Sequence, residues 1–206
     1  MTEARFYGIL DLGYVELSQA SQTARRLLAA GVDVLQLRAK AHQASDLLVL
    51  AGELGTACRE AGVPFIVNDF PELAAEVGAS GVHLGQEDGS LAEVRERFPA
   101  LAILGRSTHS LEQACAAERE GADYIGFGPL HATPTKPGRA PIGLGDLATV
   151  HQRVRLPIFA IGGIKLDNLS QVAAAGAKRV VIVSELLQSG DPAAYIAQAR
   201  ARLGRS

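Results

Sequence analysis

The chain has 206 residues, of which 48% are hydrophobic and 22 are glycine, so it can bury the core of one ordinary domain. Its 20 Lys and Arg residues nearly balance its 22 Asp and Glu residues, which speaks against a general nucleic-acid binder or a polybasic membrane binder. The same composition excludes a disordered chain, and no apolar run reaches the roughly 18 residues of a membrane span.

Short apolar, β-branched runs alternate with segments of helical periodicity along the whole chain. In chain order, the predicted strands are Tyr7–Asp11, Val32–Arg38, Phe65–Asp69, Gly81–Leu84, Ala102–Gly105, Tyr124–Gly128, Ile158–Ile161 and Arg179–Val183. The predicted helices include Ser21–Ala30, Ala44–Ala61, Pro71–Val77, Leu91–Phe98, Leu111–Glu120, Leu166–Ala175 and Pro192–Leu203. Strands of this composition are typical of a parallel sheet that is covered on both faces.

Glycine stands between a predicted helix and the next strand at Gly31, Gly62, Gly78, Gly121 and Gly176. Glycine in this position ends a helix and reverses the chain. The chain thus contains eight predicted strand–helix units of about 26 residues each, which predict a single (β/α)8 TIM barrel over residues 1–206. An open doubly wound sheet has similar content, but the first strand is not followed by the GxGxxG fingerprint that favours that fold.

The cysteines and the first residues indicate the compartment. Cys58 and Cys115 stand alone in predicted helices without a CxxC pair, which predicts two reduced cysteines and no disulfide. Residues 1–6 lack the apolar stretch of a secretory signal. A cytoplasmic protein is therefore expected, with neither a membrane nor a nucleic acid as partner.

The second predicted strand ends in Gln36-Leu37-Arg38-Ala39-Lys40. Functional groups of a (β/α)8 barrel gather at this end of the strands. Because strand side chains alternate, Gln36, Arg38 and Lys40 project to one side if the extended form persists. A guanidinium beside an ammonium indicates a clamp for phosphate or pyrophosphate. The alternative is a solvated strand end with two surface cations.

Carboxylates follow the third and fourth predicted strands. Asn68 and Asp69 end the third strand, and Asp88 lies in the loop after the fourth. Adjacent loops bring the two carboxylates to one rim beside the cationic clamp, an arrangement that suits Mg²⁺ bridging a diphosphate. Each aspartate alone is better explained as a helix cap, and Asp69 is well placed to cap a helix that starts near Pro71.

Two further loops carry phosphate-competent residues. After the fifth strand, Ser107 either donates to an anion or begins the next helix, whereas Ser110 is predicted to cap that helix. The segment 129–143 contains four prolines and two glycines, which exclude a helix. A loop of this length predicts a lid or binding loop, with Thr133, Thr135 and Lys136 as its phosphate ligands. His131 is catalytic or, more commonly for a loop histidine, structural.

The seventh and eighth predicted strands lead into Gly162-Gly163 and Val183-Ser184. Backbone N–H groups at these two positions of a barrel form its usual phosphate site, and Gly163 lets a phosphate approach closely. The alternative is a plain tight turn. The residues therefore predict two sites, a Mg²⁺-assisted diphosphate site over strands two to five and a phosphate site over strands six to eight.

In this order, the motifs resemble those of the thiamine phosphate synthase family, which includes the TenI-type thiazole tautomerases. The resemblance extends from Phe6 to about Ser184 and rests on Gln36–Lys40, Asn68-Asp69, Gly85–Asp88, Ser107–His109, Gly128-Pro129, Thr133–Lys136, Gly162-Gly163 and Val183-Ser184. Two positions depart from the family pattern. Ala39 replaces the glutamate of its Gln-Leu-Arg-Glu-Lys motif, and His131 stands where an aromatic residue is common.

The resemblance implies a transferase of thiamine biosynthesis that joins hydroxymethylpyrimidine diphosphate to thiazole phosphate and releases pyrophosphate. The pathway it implies is dissociative, through a pyrimidine methyl cation that the thiazole nitrogen captures. A tautomerase, which needs acid–base groups rather than a diphosphate clamp, and a non-catalytic sensor of phosphorylated ligands are the alternatives.

The resemblance also implies roles for individual residues. The pyrimidine diphosphate is assigned to Gln36, Arg38, Lys40, Asn68, Ser107 and Lys136, and the thiazole phosphate to Thr133, Thr135, Gly163, Val183 and Ser184. Leu37, Ala39 and Pro134 are further expected substrate contacts within the same motifs. Asp69 and Asp88 are the expected ligands of the cofactor Mg²⁺. Arg38, Lys40 and Lys136 are expected to be catalytic, because they stabilise the negative charge that develops on the leaving diphosphate.

Overall fold

The computed structural model describes residues 1–133 and 140–204. Its strands are β1 (Phe6–Asp11), β2 (Val34–Arg38), β3 (Phe65–Asn68), β4 (Gly81–Leu84), β5 (Ile103–Thr108), β6 (Tyr124–Phe127), β7 (Ile158–Ala160) and β8 (Val180–Ile182). All are parallel, each pairs with the next, and β1 pairs with β8, so that the sheet closes. The closed sheet confirms the (β/α)8 barrel and excludes the open doubly wound sheet.

Helices cover the outside of the barrel. Those of the described residues are α1 (Leu17–Ala29), α2 (Ala44–Ala61), α3 (Pro71–Glu76), α4 (Leu91–Arg97), α5 (Leu111–Glu120), α6 (Leu147–Arg153), α7 (Leu169–Ala174), α8 (Ser184–Leu187) and α9 (Pro192–Leu203). The first begins at Leu17 rather than Ser21, and α7 begins at Leu169 rather than Leu166. Neither α6 nor α8 is among the predicted helices; α8 has only 4 residues, which are too few to establish helical periodicity.

Strand β5 differs from its prediction in a way that affects the site. It runs to Thr108, beyond the predicted end at Gly105. Ser107 therefore lies within a strand and does not begin the next helix. Because side chains alternate along a strand, Ser107 and its neighbour Arg106 face opposite sides of the barrel wall.

The same alternation divides the core into two layers. One lies between the barrel and the helices, and Leu10, Leu35 and Leu37 belong to it. The other fills the barrel interior and consists of Ala4, Tyr7, Ile9, Val34, Ile66, Tyr124, Phe159 and Val181. Each large apolar side chain that is fully buried stabilises the fold by about 1.5–3 kcal/mol. Because these side chains fill the barrel interior, the barrel is not an open pore, and a site at the carboxyl ends of the strands is closed from below.

Local signals read from the sequence recur in the fold. The five glycines between helices and strands all have positive φ, and two of them, Gly62 and Gly121, are the left-handed caps of α2 and α5. Ser110 caps α5 by accepting a hydrogen bond from the Gln113 N–H at 3.2 Å, as predicted. Both cysteines are free. Among the described helices, none is long and apolar enough to cross a membrane.

Candidate active site

A cavity opens at the carboxyl ends of the strands. Its lining includes eight of the predicted substrate contacts: Gln36, Arg38, Asn68, Ser107, Thr133, Gly163, Val183 and Ser184. Lys40 and Asp69 adjoin this lining through Asn68, whose amide nitrogen donates to the Asp69 carboxylate at 2.5 Å. The predicted contacts Pro134, Thr135 and Lys136 lie outside the described residues.

Two predicted contacts, Leu37 and Ala39, do not line the cavity. Both side chains are buried in the layer between the barrel and the helices. Alternation along β2 explains the difference, since a strand that turns Gln36 and Arg38 toward the cavity must turn Leu37 away from it. Any contact of Leu37 or Ala39 with a ligand is therefore limited to the backbone.

Arg38 is held by a carboxylate that sequence analysis missed. Asp11, the last residue of β1, is 1% exposed and accepts from the Arg38 guanidinium at 2.5 Å. Its other oxygen accepts from the Gly13 N–H at 2.9 Å. A buried carboxylate that is paired and hydrogen-bonded fixes the guanidinium in one orientation. The sequence signal that could have identified Asp11 is its position: a charged residue that ends an apolar strand at the mouth of the barrel.

The second cation pairs with a predicted metal ligand. Lys40 forms a salt bridge with Asp69, although the Lys40 side chain is 53% exposed. Burial raises the pKa of the Asp69 carboxyl; Lys40 lowers that pKa, and a hydrogen bond with the Asp88 carboxyl raises it. The two predicted metal ligands are therefore in direct contact, and Asp88 disfavours the ionised form of Asp69.

Neither aspartate caps a helix. The residue at the N-cap of α3 is Phe70, which makes no side-chain cap bond, and α4 is capped by Ser90. Asp69 instead adopts φ of +67°, a left-handed conformation that aspartate tolerates better than most residues. The capping alternative for Asp69 and Asp88 is therefore wrong, and the position of both carboxylates requires another explanation.

The pair has the chemistry of a partial Mg²⁺ site. Carboxylate oxygens are the ligands that Mg²⁺ prefers, and it commonly takes one or two from the protein and the rest from phosphate and water. No group of three or more His, Cys, Asp or Glu side chains suited to a metal occurs among residues 1–133 and 140–204. Asp69 and Asp88 therefore fit an ion that is held jointly with a diphosphate.

A chain of hydrogen bonds crosses the barrel beneath the cavity. Gln36 Nε2 donates to the Tyr7 hydroxyl at 2.9 Å, and that hydroxyl lies 2.8 Å from the hydroxyl of Tyr124. The Tyr124 hydroxyl lies 3.0 Å from Nδ1 of His83, and His83 Nε2 lies 2.9 Å from Ser107 Oγ. Burial raises the pKa of both tyrosines, which keeps them protonated. The chain links two predicted contacts, Gln36 and Ser107.

Its direction follows from the need to satisfy each buried donor. The Gln36 amide nitrogen can only donate, so Tyr7 accepts there and uses its own proton toward Tyr124. Tyr124 then donates to His83 Nδ1, and the proton on His83 Nε2 is donated to Ser107 Oγ. The reverse direction would leave the Tyr7 proton buried without an acceptor, at a cost of about 1–3 kcal/mol. In this direction Ser107 accepts from His83, so its own hydroxyl proton can be donated to a ligand in the cavity.

Glycine makes room for this chain at one point. A Cβ atom on Gly105 would lie 2.2 Å from Cζ of Tyr124 and 2.5 Å from its hydroxyl oxygen. No side chain at residue 105 is therefore compatible with the ring position that delivers the Tyr124 hydroxyl to His83. Tyr7, His83 and Tyr124 were not predicted, because a tyrosine in an apolar strand is usually a packing residue.

The opposite side of the cavity is built from backbone. Gly163 has φ of +63°, and a Cβ atom there would lie 2.6 Å from the carbonyl oxygen of Ala132. The His131 N–H donates to the Gly162 carbonyl at 3.0 Å, which lays the loop after β6 across the two glycines. This contact carries Thr133 to the cavity, where it joins Gly163.

Side chains behind this loop hold its shape. Asn168 donates to the Gly163 carbonyl at 2.9 Å and accepts from the Lys165 N–H at 2.9 Å. Glu185, in α8, accepts from the Leu166 N–H at 3.0 Å, which ties α8 to the loop after β7. The glycine turn is therefore supported from two elements.

The chain is similar to known proteins over most of its length. The model of the thiamine monophosphate synthase family matches residues 6–186. A thiamine-phosphate synthase of Thermus thermophilus is 47% identical over 179 residues, covering 86% of each chain. One of Pelotomaculum thermopropionicum is 41% identical over 206 residues, covering 100% of this chain and 94% of the relative. Among solved structures, a thiamine phosphate pyrophosphorylase of Pyrococcus furiosus has a TM-score of 0.86 at 30% identity, over 97% of this chain and 95% of that one. The chain belongs to the thiamine monophosphate synthase family.

Proposed function

We propose that this chain is a thiamine-phosphate synthase, a transferase that joins hydroxymethylpyrimidine diphosphate to thiazole phosphate and releases pyrophosphate. The proposal rests on family membership and on one observation. Fixed cations and a contacting pair of carboxylates lie on one side of a cavity, and a positive-φ glycine loop lies on the other. A reaction with two phosphorylated substrates requires two such anion sites around one reaction space.

The diphosphate belongs on the side of Arg38 and Lys40. Arg38 offers a fork of donors whose orientation Asp11 holds, and Lys40 offers a compact charge. A bound Mg²⁺ on Asp69 and Asp88 would supply charge neutralisation for the leaving diphosphate. Lys40 then shifts its attraction from Asp69 to the diphosphate, because the negative charge there is greater.

The pyrimidine ring belongs over the hydrogen-bond chain. Gln36 uses its amide nitrogen on Tyr7, which leaves its carbonyl oxygen as the acceptor on the cavity side. Ser107 supplies a donor at the other end of the chain. An aminopyrimidine offers an N–H donor and a ring nitrogen acceptor, so the two polarities match. Both ends are pre-organised, since their partners lie in the packed interior of the barrel.

The thiazole phosphate belongs at the glycine loop. Backbone N–H groups around Gly163 and the hydroxyls of Thr133 and Ser184 are donors that a phosphate accepts. Binding there directs the thiazole ring toward the middle of the cavity, where the pyrimidine methylene carbon lies.

The reaction exchanges one bond for another at that carbon. The bond between the methylene carbon and the diphosphate oxygen breaks, and its electron pair leaves with pyrophosphate. The lone pair of the thiazole nitrogen forms the new carbon–nitrogen bond and yields the thiazolium cation. Since no proton moves in this exchange, the residues need only position the partners and stabilise the leaving anion. The dissociative order, in which the first bond breaks before the second forms, suits a site with such strong anion stabilisation.

The alternatives explain fewer of the residues. A thiazole tautomerase needs an acid–base pair but has no use for Arg38, Lys40 and the two contacting carboxylates together. A sensor of phosphorylated ligands needs no second anion site. We also expect the protein to act on small molecules in the cytoplasm.

The test is an assay of pyrophosphate release by the purified protein. We expect release from the pyrimidine diphosphate only when thiazole phosphate and Mg²⁺ are both present, with thiamine phosphate formed in equal amount. Release of pyrophosphate without thiazole phosphate, or conversion of a thiazole isomer without the pyrimidine, would contradict the proposal.

A further inference from the structure

An arginine outside the cavity holds the loop that carries Asp88. Arg106 lies in β5 with its side chain on the helix side of the barrel wall, and only 4% of the residue is exposed. Its guanidinium donates to the Gly85 carbonyl at 2.6 Å and to the Gly89 carbonyl at 2.9 Å. These two residues flank Asp88, so one side chain grips the loop on both sides of the predicted metal ligand.

The charge of Arg106 is balanced by a glutamate. Glu120, the last residue of α5, accepts from the Arg106 guanidinium at 2.7 Å. The same oxygen accepts from the N–H of Leu91, the first residue of α4, at 2.8 Å. A buried guanidinium is costly unless it is paired and hydrogen-bonded, and here Arg106 has three partners. The pair therefore joins β5, α5, the start of α4 and the loop before it.

The loop itself is closed around the Asp88 carboxylate. The Gly85 N–H donates to Asp88 Oδ2 at 2.8 Å, while the Gly85 carbonyl is held by Arg106. A Cβ atom on Gly85 would lie 2.6 Å from that carboxylate oxygen. A displacement of Gly85 consequently moves the Asp88 carboxylate, and with it the contact to Asp69.

We infer that Arg106 and Glu120 are positioning residues for the divalent cation: their ion pair fixes the Gly85–Gly89 loop so that Asp88 stays in contact with Asp69. The inference rests on the proposed function, in which the two aspartates hold Mg²⁺. Neither Arg106 nor Glu120 is among the residues that line the cavity. Outer partners that orient metal ligands typically change metal affinity about 10–100-fold when they are removed.

A structural role alone predicts a different result. If the pair only stabilised the fold, its loss would lower the melting temperature without favouring one ligand over another. Positioning of Asp88 predicts a selective loss, because the described residues of the proposed thiazole phosphate site follow β6, β7 and β8, whereas the Arg106 guanidinium bonds to Gly85, Gly89 and Glu120. Metal affinity must therefore fall while the KM for thiazole phosphate is retained.

The experiment titrates the purified protein with Mn²⁺ alone and follows the free ion by electron paramagnetic resonance. For R106Q and E120Q we expect a Kd for Mn²⁺ about tenfold above that of the unmodified protein. In steady-state assays, the Mg²⁺ concentration for half-maximal rate rises with it, and the KM for thiazole phosphate stays within about twofold. E120Q is the milder change because the amide oxygen still accepts from the Leu91 N–H, so it decides the question if R106Q does not fold.

The matched controls are R97Q and E72Q. Arg97 and Glu72 form an ion pair between α4 and α3 at 2.9 Å, with side chains that are 64% and 60% exposed. Both controls should retain the Kd for Mn²⁺. An unchanged Kd in folded E120Q, or an equal weakening of Mn²⁺ and thiazole phosphate, overturns the inference. D88N distinguishes a failure of this inference from a failure of the proposed function. If D88N binds Mn²⁺ normally, the assignment of Asp88 as a metal ligand fails as well. If D88N is impaired but R106Q and E120Q are not, only the positioning inference fails.

Discussion

The proposed function assigns one anion to each side of the cavity, and the two sides use different parts of the chain to bind it. Over β2 to β5, the binding groups are charged side chains that are already paired, Arg38 with Asp11 and Lys40 with Asp69. Over β6 to β8, the described groups are mainly backbone N–H groups and hydroxyls around Gly163. Side-chain charges can reorganise when a metal and a diphosphate arrive, whereas a backbone turn is set by packing.

This difference predicts where each side is vulnerable. The charged side depends on the identity of a few atoms, so substitutions that keep the shape but remove the charge abolish function. The backbone side depends on space, so adding a methyl group is enough to damage it. The charged side should therefore be more sensitive to loss of charge, and the backbone side more sensitive to added volume.

The largest effect is expected from D69N and D88N. Each variant keeps the size of the side chain but removes a carboxylate that the proposed function assigns to Mg²⁺. Turnover should fall by at least about 100-fold, since ligand loss exceeds the usual effect of removing an outer partner. Steady-state kinetics at saturating substrates measure this, and D46N, at an exposed aspartate of α2, is the control. Undiminished Mg²⁺-dependent turnover in both variants would refute the metal assignment.

A smaller and more selective effect is expected from G163A. The new Cβ would lie 2.6 Å from the Ala132 carbonyl oxygen, and alanine is strained at φ of +63°. The KM for thiazole phosphate should rise by more than about tenfold, given a strain of about 1–3 kcal/mol. The KM for the pyrimidine diphosphate should stay within about twofold. G145A, where a Cβ meets nothing within 4 Å, is the matched control.

The hydrogen-bond chain offers a test on the charged side without removing a charge. Y7F deletes the hydroxyl that receives the Gln36 amide, so that Gln36 loses its fixed orientation. We expect the KM for the pyrimidine diphosphate to rise about fivefold, from a loss of roughly 1 kcal/mol. The KM for thiazole phosphate is the internal reference. A KM for the pyrimidine substrate at the level of the unmodified protein would show that the chain does not orient Gln36.

The smallest effect is a gain in stability that opposes the loss of activity in D69N. The pKa of Asp69 is raised in the folded protein, so its ionisation destabilises the fold as pH rises from the ordinary 3.8 through the folded value. Asparagine carries no such charge and also tolerates positive φ. Without divalent metal, D69N should melt at a higher temperature than the unmodified protein at neutral pH, as followed by thermal denaturation. The difference should vanish as pH falls toward 3.8; a lower melting temperature at neutral pH would contradict it.

Much of the architecture could be predicted from local patterns. The eight apolar runs are strands because β-branched residues suit a covered parallel sheet, and the glycines after the helices mark chain reversals. The carboxyl-end positions of Gln36, Arg38, Asn68 and Ser107 followed from the barrel alone. Helix α8 and the extension of β5 to Thr108 did not follow, because a four-residue helix is little more than one turn and a strand end carries little periodicity.

By itself, the sequence determined the barrel and placed eight predicted contacts in the lining of the cavity, because period and strand order bring side chains to one end of the fold. Only the tertiary structure decided which residues act together. Asp11 bonds to Arg38, Gln36 to Tyr7, and Arg106 to Gly89, and the members of each pair come from different strands or loops. Contacts between distant segments depend on the packed geometry of the whole barrel, and no local pattern in the chain encodes them. The net charge of −2 does not reveal a phosphate site. Folding brings Arg38 and Lys40 to the rim of one cavity, where the proposed function places the diphosphate.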